Sequence, residues 1–187
     1  MIIDNARNMN FIWERILPDE TKRLLSVNAK IKELALVKYD DATYEHAVKV
    51  AEYASEMIRT LGMAQEIQDE IIIEIIGISH DLVEDTDVTL EDLKHILSET
   101  QNNVIEDYIL GCIELVSRNI DYDNNQPIKS KVVKPYNVYI EMIKANKSQY
   151  PSAWFVKLAD IKHHFELYDT LTDSLKDRYV KALAVLL

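Results

Sequence analysis

Ile71-Ile72-Ile73-Glu74-Ile75-Ile76-Gly77-Ile78-Ser79-His80-Asp81-Leu82-Val83-Glu84-Asp85-Thr86 decides the fold, because the most apolar run in the chain passes directly into an imidazole and three carboxylates. A bilayer span needs about 20 apolar residues. The run from Ile71 to Ile78 is far shorter, so it reads as a buried helix from about Gln65 to His80 at the centre of a bundle. Its polar end emerges at His80, and a cluster of acids there asks for a cation. Adjacent helical residues diverge by about 100°, so His80 and Asp81 can face one ion only from a helix end or a distorted turn. The pattern places them at such an end.

Two further stretches fit the same ion. Upstream, Thr43-Tyr44-Glu45-His46-Ala47-Val48-Lys49-Val50-Ala51 puts a histidine on an amphipathic helix. Alone it would read as a surface or hydrogen-bonded histidine. Downstream, Phe155-Val156-Lys157-Leu158-Ala159-Asp160 sets a carboxylate among apolar residues, where burial without a partner costs several kcal/mol. A metal or a cation removes most of that cost. Two neutral imidazoles with two carboxylates, His46, His80, Asp81 and Asp160, suit one six-coordinate divalent ion, Mn before Mg, Fe, Ni or Zn. Waters fill the open positions, and an open position is what hydrolysis requires. If the backbone stays helical beyond His80, Glu84 returns to the same face, within reach of a proton on an attacking water. The bland alternative for Glu84 and Asp85 is a solvated acidic loop.

These residues resemble the HD superfamily of metal-dependent phosphohydrolases. The strings His80-Asp81-Leu82-Val83-Glu84-Asp85-Thr86 and Val156-Lys157-Leu158-Ala159-Asp160 look like its RelA/SpoT branch, with the likeness running from about residue 39 to 170. The resemblance implies an all-α HD-domain helical bundle, taken as a single domain over residues 39–187; residues 1–38, outside the resemblance, read as an N-terminal helical extension packed on it. It implies removal of the 3′-pyrophosphate from guanosine 3′,5′-bis(diphosphate), one bound divalent ion, and Glu84 and Asp85 as water-activating and proton-donating groups. The stretch Gly111-Cys112-Ile113-Glu114-Leu115-Val116-Ser117-Arg118 is similar too, and there the resemblance sets Arg118 facing the phosphates. Beyond Asp160 the likeness thins. His163 matches the family's own histidine, a residue that supports the ligands or packs beside them. His164 and Glu166 replace its asparagine and arginine, and Tyr39, Asp40 and Asp41 stand where a basic pair stacks on the purine.

Composition bounds the rest. With 187 residues, nearly half hydrophobic, and only 3 Gly and 4 Pro, one domain of long helices is expected. Cys112 has no partner for an intramolecular disulfide and fits a reducing compartment as a buried thiol. The N-terminus lacks the basic start and apolar run of a signal peptide, so a cytoplasmic protein is expected. A net charge of −11 disfavours nucleic-acid polymers and anionic membranes. It also opposes a nucleotide substrate unless the field is reversed locally. A divalent ion offsets two carboxylates, and Lys49, Arg118, Lys131, Lys134, Lys157 and Lys162 are the cations available to line one cleft.

Along the chain, residues 8–17 are apolar on most sides, and Pro18-Asp19 precedes a helix to about Val37. This entry segment covers the core, closes over the site or makes a homo-oligomer contact. Asp41 or Thr43 can cap the His46 helix, which Gly62 stops. Thr89 and Asp92 form a capping box, and His95 faces out. Residues 103–117 and 136–146 are helical, 119–135 is a loop or lid, and the last long helix runs from Ala153 to about Tyr168. Three functions follow: the pyrophosphohydrolase, a nucleotidase acting on a mononucleotide, and a metal-binding regulatory module without turnover. Retention of both Glu84 and Asp85 argues against the third.

Overall fold

Few Gly and Pro and long runs of helix formers leave the chain little choice but helices, and they form wherever an apolar stripe can be covered. The structure, a computed structural model, describes residues 18–118, 120, 121, 126, 127 and 134–187. Lys131 and the apolar segment 8–17 lie outside those residues. Among the described residues the α-helices are α1 (Asp19–Lys38), α2 (Asp41–Thr60), α3 (Ile67–Ser79), α4 (Leu82–Asp85), α5 (Leu90–Leu97), α6 (Asn103–Val116), α7 (Tyr136–Ala145), α8 (Pro151–Glu166) and α9 (Asp173–Leu186). One short antiparallel ladder pairs β1 (Ile120–Asp121) with β2 (Gln126–Pro127), Ile120 opposite Pro127. The all-α expectation holds.

α3 is the axis. Its buried residues, Ile71, Ile73, Ile75, Ile76, Gly77, Ile78 and Ser79, occupy several sides of the helix, and α1, α2, α6 and α8 pack around it. Leu24, Val27, Ile31 and Ala35 of α1 join the same buried cluster. At Gly77 the packing with α2 is so close that a Cβ would lie 2.6 Å from Ala51 Cα. No helix of the described residues is long and apolar enough to cross a membrane.

Helix ends follow local chemistry. Asp40 caps α2, accepting from Thr43 N at 2.8 Å, so the cap falls one residue earlier than Asp41. Gly62, at φ 66°, ends it in the left-handed conformation that glycine adopts without strain. Glu66 and Asp69 cap α3 reciprocally, which moves its start from Gln65 to Ile67. Thr89 and Asp92 form the expected capping box at α5, and His95 is exposed.

α9 corrects the sequence reading, which ended its last helix at Tyr168. α8 stops at Glu166, and after a 3-10 turn Thr172 caps a further helix through Leu175 N. α9 buries Tyr179, Ala182 and Leu186 and packs on α7 and α8.

Candidate metal centre

Three elements converge at the polar end of α3. His46 comes one turn into α2, on the edge of the stripe that buries Ala47 and Val50. His80 is the C-cap of α3, and Asp81 follows at φ −107°, ψ −1°, outside regular helix, before the single turn of α4. That irregular junction turns two adjacent side chains toward one another, with His80 Nε2 3.0 Å from Asp81 Oδ2. Asp160 arrives from the middle of α8. His46 Nε2 lies 3.3 Å from Asp160 Oδ1 and 3.9 Å from Asp81 Oδ2. The four residues expected from the sequence are thus brought together.

The His80 ring is the informative one. Its Nδ1 is 2.7 Å from the Gly77 carbonyl oxygen. A carbonyl only accepts, so Nδ1 carries the proton and, in the neutral ring, Nε2 presents a lone pair. Nε2 is buried, makes no hydrogen bond, and faces the Asp81 carboxylate, which also only accepts. Two acceptors at that separation call for a cation between them. Burial opposes a charged His80, but Asp81, Asp160 and the Gly77 carbonyl outweigh it and raise the imidazole to about 9. The field that favours a proton there favours a metal ion as well.

Asp160 is almost wholly buried, and burial alone would keep its carboxyl neutral. Lys157 Nζ, 2.5 Å from Oδ2, outweighs that penalty together with His164 and His46, and holds the carboxyl well below the usual carboxylate range. Lys157 is raised in turn, against its own burial, chiefly by Asp160. Expected at the substrate, Lys157 therefore sits on the carboxylate of a candidate metal ligand, Asp160.

His163 and His164 both belong to the cluster. His163 Nδ1 is 2.7 Å from His46 Nδ1, so one ring donates to the other, and His163 fixes the orientation of His46 while leaving Nε2 toward the carboxylates. Burial and then His46 lower its pKa. His164 Nε2 lies 3.1 Å from Asp160 Oδ1, and its ring stacks on Tyr179 at 4.9 Å and 11°. Among the described residues, two sets of side chains have ligand atoms close enough to share an ion: His46, His80 and Asp81, and His46, Asp160 and His164. The sequence reading aligned His164 with an asparagine. The i, i+4 spacing from Asp160 on one helix face was the signal that could have placed it.

The acidic pair lies beside the candidate ligands. Glu84 Oε2 accepts from Arg118 N at 2.9 Å. Asp85 is open to solvent on one side, yet partial loss of hydration, then Asp81 and Glu84, push it up to about 6. Arg118 Nη2 donates to the Lys134 carbonyl at 3.4 Å. Burial lowers the Lys134 ammonium, against Glu114 and Glu84, which raise it. Lys49 points elsewhere, bonded to Glu52 at 2.7 Å on the exposed side of α2. Lys162 lies over the Tyr53 ring.

Positions where the resemblance thinned have local roles. Tyr39 is buried, with its hydroxyl 3.3 Å from the Ile78 carbonyl. Asp40 caps α2, and Glu166 accepts from the Tyr53 hydroxyl at 2.5 Å.

A family model described as HD domain matches residues 43–182, a span that holds every residue of this cluster. No curated protein and no solved structure matches the chain.

Proposed function

The chain belongs to the HD-domain family, and from its converging histidines and carboxylates we propose a metal-dependent phosphohydrolase acting on a phosphorylated nucleotide. One observation carries the reading. His80 Nε2, buried 3.0 Å from the Asp81 carboxylate with Nδ1 held to the Gly77 carbonyl, marks a place for a cation, a proton in the metal-free protein or a divalent ion in its stead. Two imidazoles and two carboxylates are a donor set for a divalent ion, Mn first among the candidates.

His46, His80, Asp81 and Asp160 would hold that ion, which when bound supplies Lewis acidity at a phosphoryl oxygen and acidifies water. His163 keeps His46 in its orientation, and Lys157 keeps Asp160 ionised. Glu84, steadied by the Arg118 N–H, takes a proton from the attacking water. Asp85, with its carboxyl at about 6, returns a proton to the leaving oxygen as the phosphorus–oxygen bond breaks. Arg118 and Lys134 neutralise phosphate oxygens.

The sharper form of the proposal takes guanosine 3′,5′-bis(diphosphate) as substrate and removes its 3′-pyrophosphate, supported by the HDxxEDT and VKLAD strings. A second reading, a nucleotidase for a mononucleotide, is favoured by Tyr39, Asp40 and Glu166. Each is occupied with a local hydrogen bond, so none offers a basic group to a purine.

The test is Mn-supported hydrolysis by the purified protein, with pyrophosphate release from guanosine 3′,5′-bis(diphosphate) read beside phosphate release from mononucleotides. Activity on either side that disappears in Asp81→Ala with the bound metal supports the proposal and chooses the substrate. Glu84→Gln keeps the metal and loses about 10²- to 10⁴-fold in turnover, the usual weight of general base catalysis. Unchanged metal content in both Asp81→Ala and Asp160→Ala would end the site assignment.

A further inference from the structure

Three cations surround one phenol at the start of α7. Arg118 Cζ lies 5.4 Å, Lys157 Nζ 5.7 Å and Arg178 Cζ 5.3 Å from the centroid of the Tyr136 ring. The three differ in what neutralises them. Lys157 is committed to Asp160. Arg118 and Arg178 have no carboxylate at ion-pair distance among the described residues.

Two polar atoms of this group are buried and make no hydrogen bond among the described residues: Tyr136 Oη and Arg118 Nε. Both can donate, and buried donors are rarely left without an acceptor. Two guanidinium groups and a phenol that share one ring, with donors to spare, describe a receptor for an anion. Arginine forks match phosphate oxygens in pairs, which makes the phosphoryl group the best-fitting anion.

A cavity of ≈ 300 Å³ between α7 and α9 opens at this place, with Tyr136, Asn137, Ser174 and Arg178 on its wall. Its one acidic wall residue, Asp177, is paired with Lys181 at 2.6 Å and leaves the guanidinium uncompensated. Two wall residues lead from the cavity toward the metal centre. Lys157, 2.5 Å from Asp160, lies 5.7 Å from the Tyr136 ring, and Tyr179, next to Arg178 on α9, stacks on His164.

We infer that Arg118, Tyr136 and Arg178 form an anion subsite beside the metal centre, which receives a phosphate group of the substrate other than the one being cleaved. The inference rests on the phosphohydrolase reading and deepens it, since such a subsite selects substrates with at least two phosphate groups. Arg178 and Tyr136 act as specificity-determining residues.

Calorimetric titration of the Mn-loaded protein with inorganic pyrophosphate tests it. Arg178→Ala weakens binding about ten- to a hundredfold, the usual weight of hydrogen bonds to a charged group, and Arg178→Lys recovers part of it. Tyr136→Phe weakens it several-fold. Arg178 is exposed, so Arg178→Ala folds with an unchanged melting temperature. Arg59→Ala, which removes an exposed arginine paired with Glu70 elsewhere, leaves binding as it was. Wild-type affinity in both Arg178→Ala and Tyr136→Phe overturns the subsite, as does a wild-type protein that does not bind pyrophosphate. Neither result touches the parent reading if Mn-dependent nucleotide hydrolysis persists. Conversely, metal-loaded protein that hydrolyses nothing, yet binds pyrophosphate through Arg178, sinks the phosphohydrolase reading and leaves the subsite in place.

Discussion

α3 and α8 lie against each other in the core, and they treat polar groups in opposite ways. α3 is apolar along its buried length as far as Ile78. Its one inner carboxylate, Glu74, reaches a partly exposed edge where Lys32 and Asn28 bond it, and its imidazole, His80, is kept to the very end. There the helix itself supplies the partner, the Gly77 carbonyl three residues back. α8 carries Lys157 and Asp160 in its interior, where a helix offers side chains no free backbone groups, and His163 and His164 in its last turn. Each of these has a partner: Lys157 pairs with Asp160, His164 bonds Asp160, and His163 bonds His46 from α2. At the end of α3 the backbone answers one side of the imidazole, His80 Nδ1, while the mid-helix charges of α8, Lys157 and Asp160, are answered by other side chains.

That contrast can be broken first at Asp160. In metal-free protein, Asp160→Ala leaves the Lys157 ammonium buried without its counter-ion, and urea unfolding should register a loss of about 3–5 kcal/mol. Replacing both members, as in Lys157→Met with Asp160→Leu, should recover most of that loss, because neither charge then remains to be desolvated. A double variant as unstable as the single one would show that the pair's geometry, and not its charge balance, supports α8.

Next comes the ion. Mn at about a hundred times its dissociation constant should raise the stability of the wild-type protein by about 2.7 kcal/mol. Asp160→Ala should not respond, and a response of equal size would place the ion away from α8.

Gly77→Ala probes the apolar helix alone. The added methyl meets Ala51 Cα at 2.6 Å, so α2 and α3 must separate, with an expected cost of about 1–3 kcal/mol in the same unfolding experiment. Wild-type stability would mean the two helices have slack where the structure has none.

The smallest effect is at Cys112, buried on α6, whose thiol is pushed up to about 12 chiefly by burial. At pH 8 it should react with a thiol reagent only as fast as the protein opens. Rapid labelling of folded protein would mean that this side of the core is loose.

The cluster proposed to hold the ion was legible because it is made of local signals: an apolar run that ends in acids, a histidine on an amphipathic stripe, and a carboxylate among aromatics and aliphatics. The core helices were legible by the same periodicity. α9 escaped notice because Lys176, Asp177, Arg178 and Lys181 hide a stripe that consists of Leu175, Tyr179, Ala182 and Leu186, although Thr172 gave a capping signal. What α9 brings to the site, Tyr179 on His164 and Arg178 on Tyr136, depends on contacts between distant segments that no spacing reveals. His164 was different, since its i, i+4 relation to Asp160 lay in plain view. The family pattern at that position drew attention away from the geometry.

Lys157 changes what the acidic balance of the chain means. Asp81 and Asp160, set against Lys157 and a His80 imidazole raised to about 9, leave no net charge there near neutral pH. A dication that took the place of the His80 proton would make the centre positive. In a protein of net charge −11 the metal itself would then create the local field that draws a phosphate in, and so decide the order in which ion and phosphate come in.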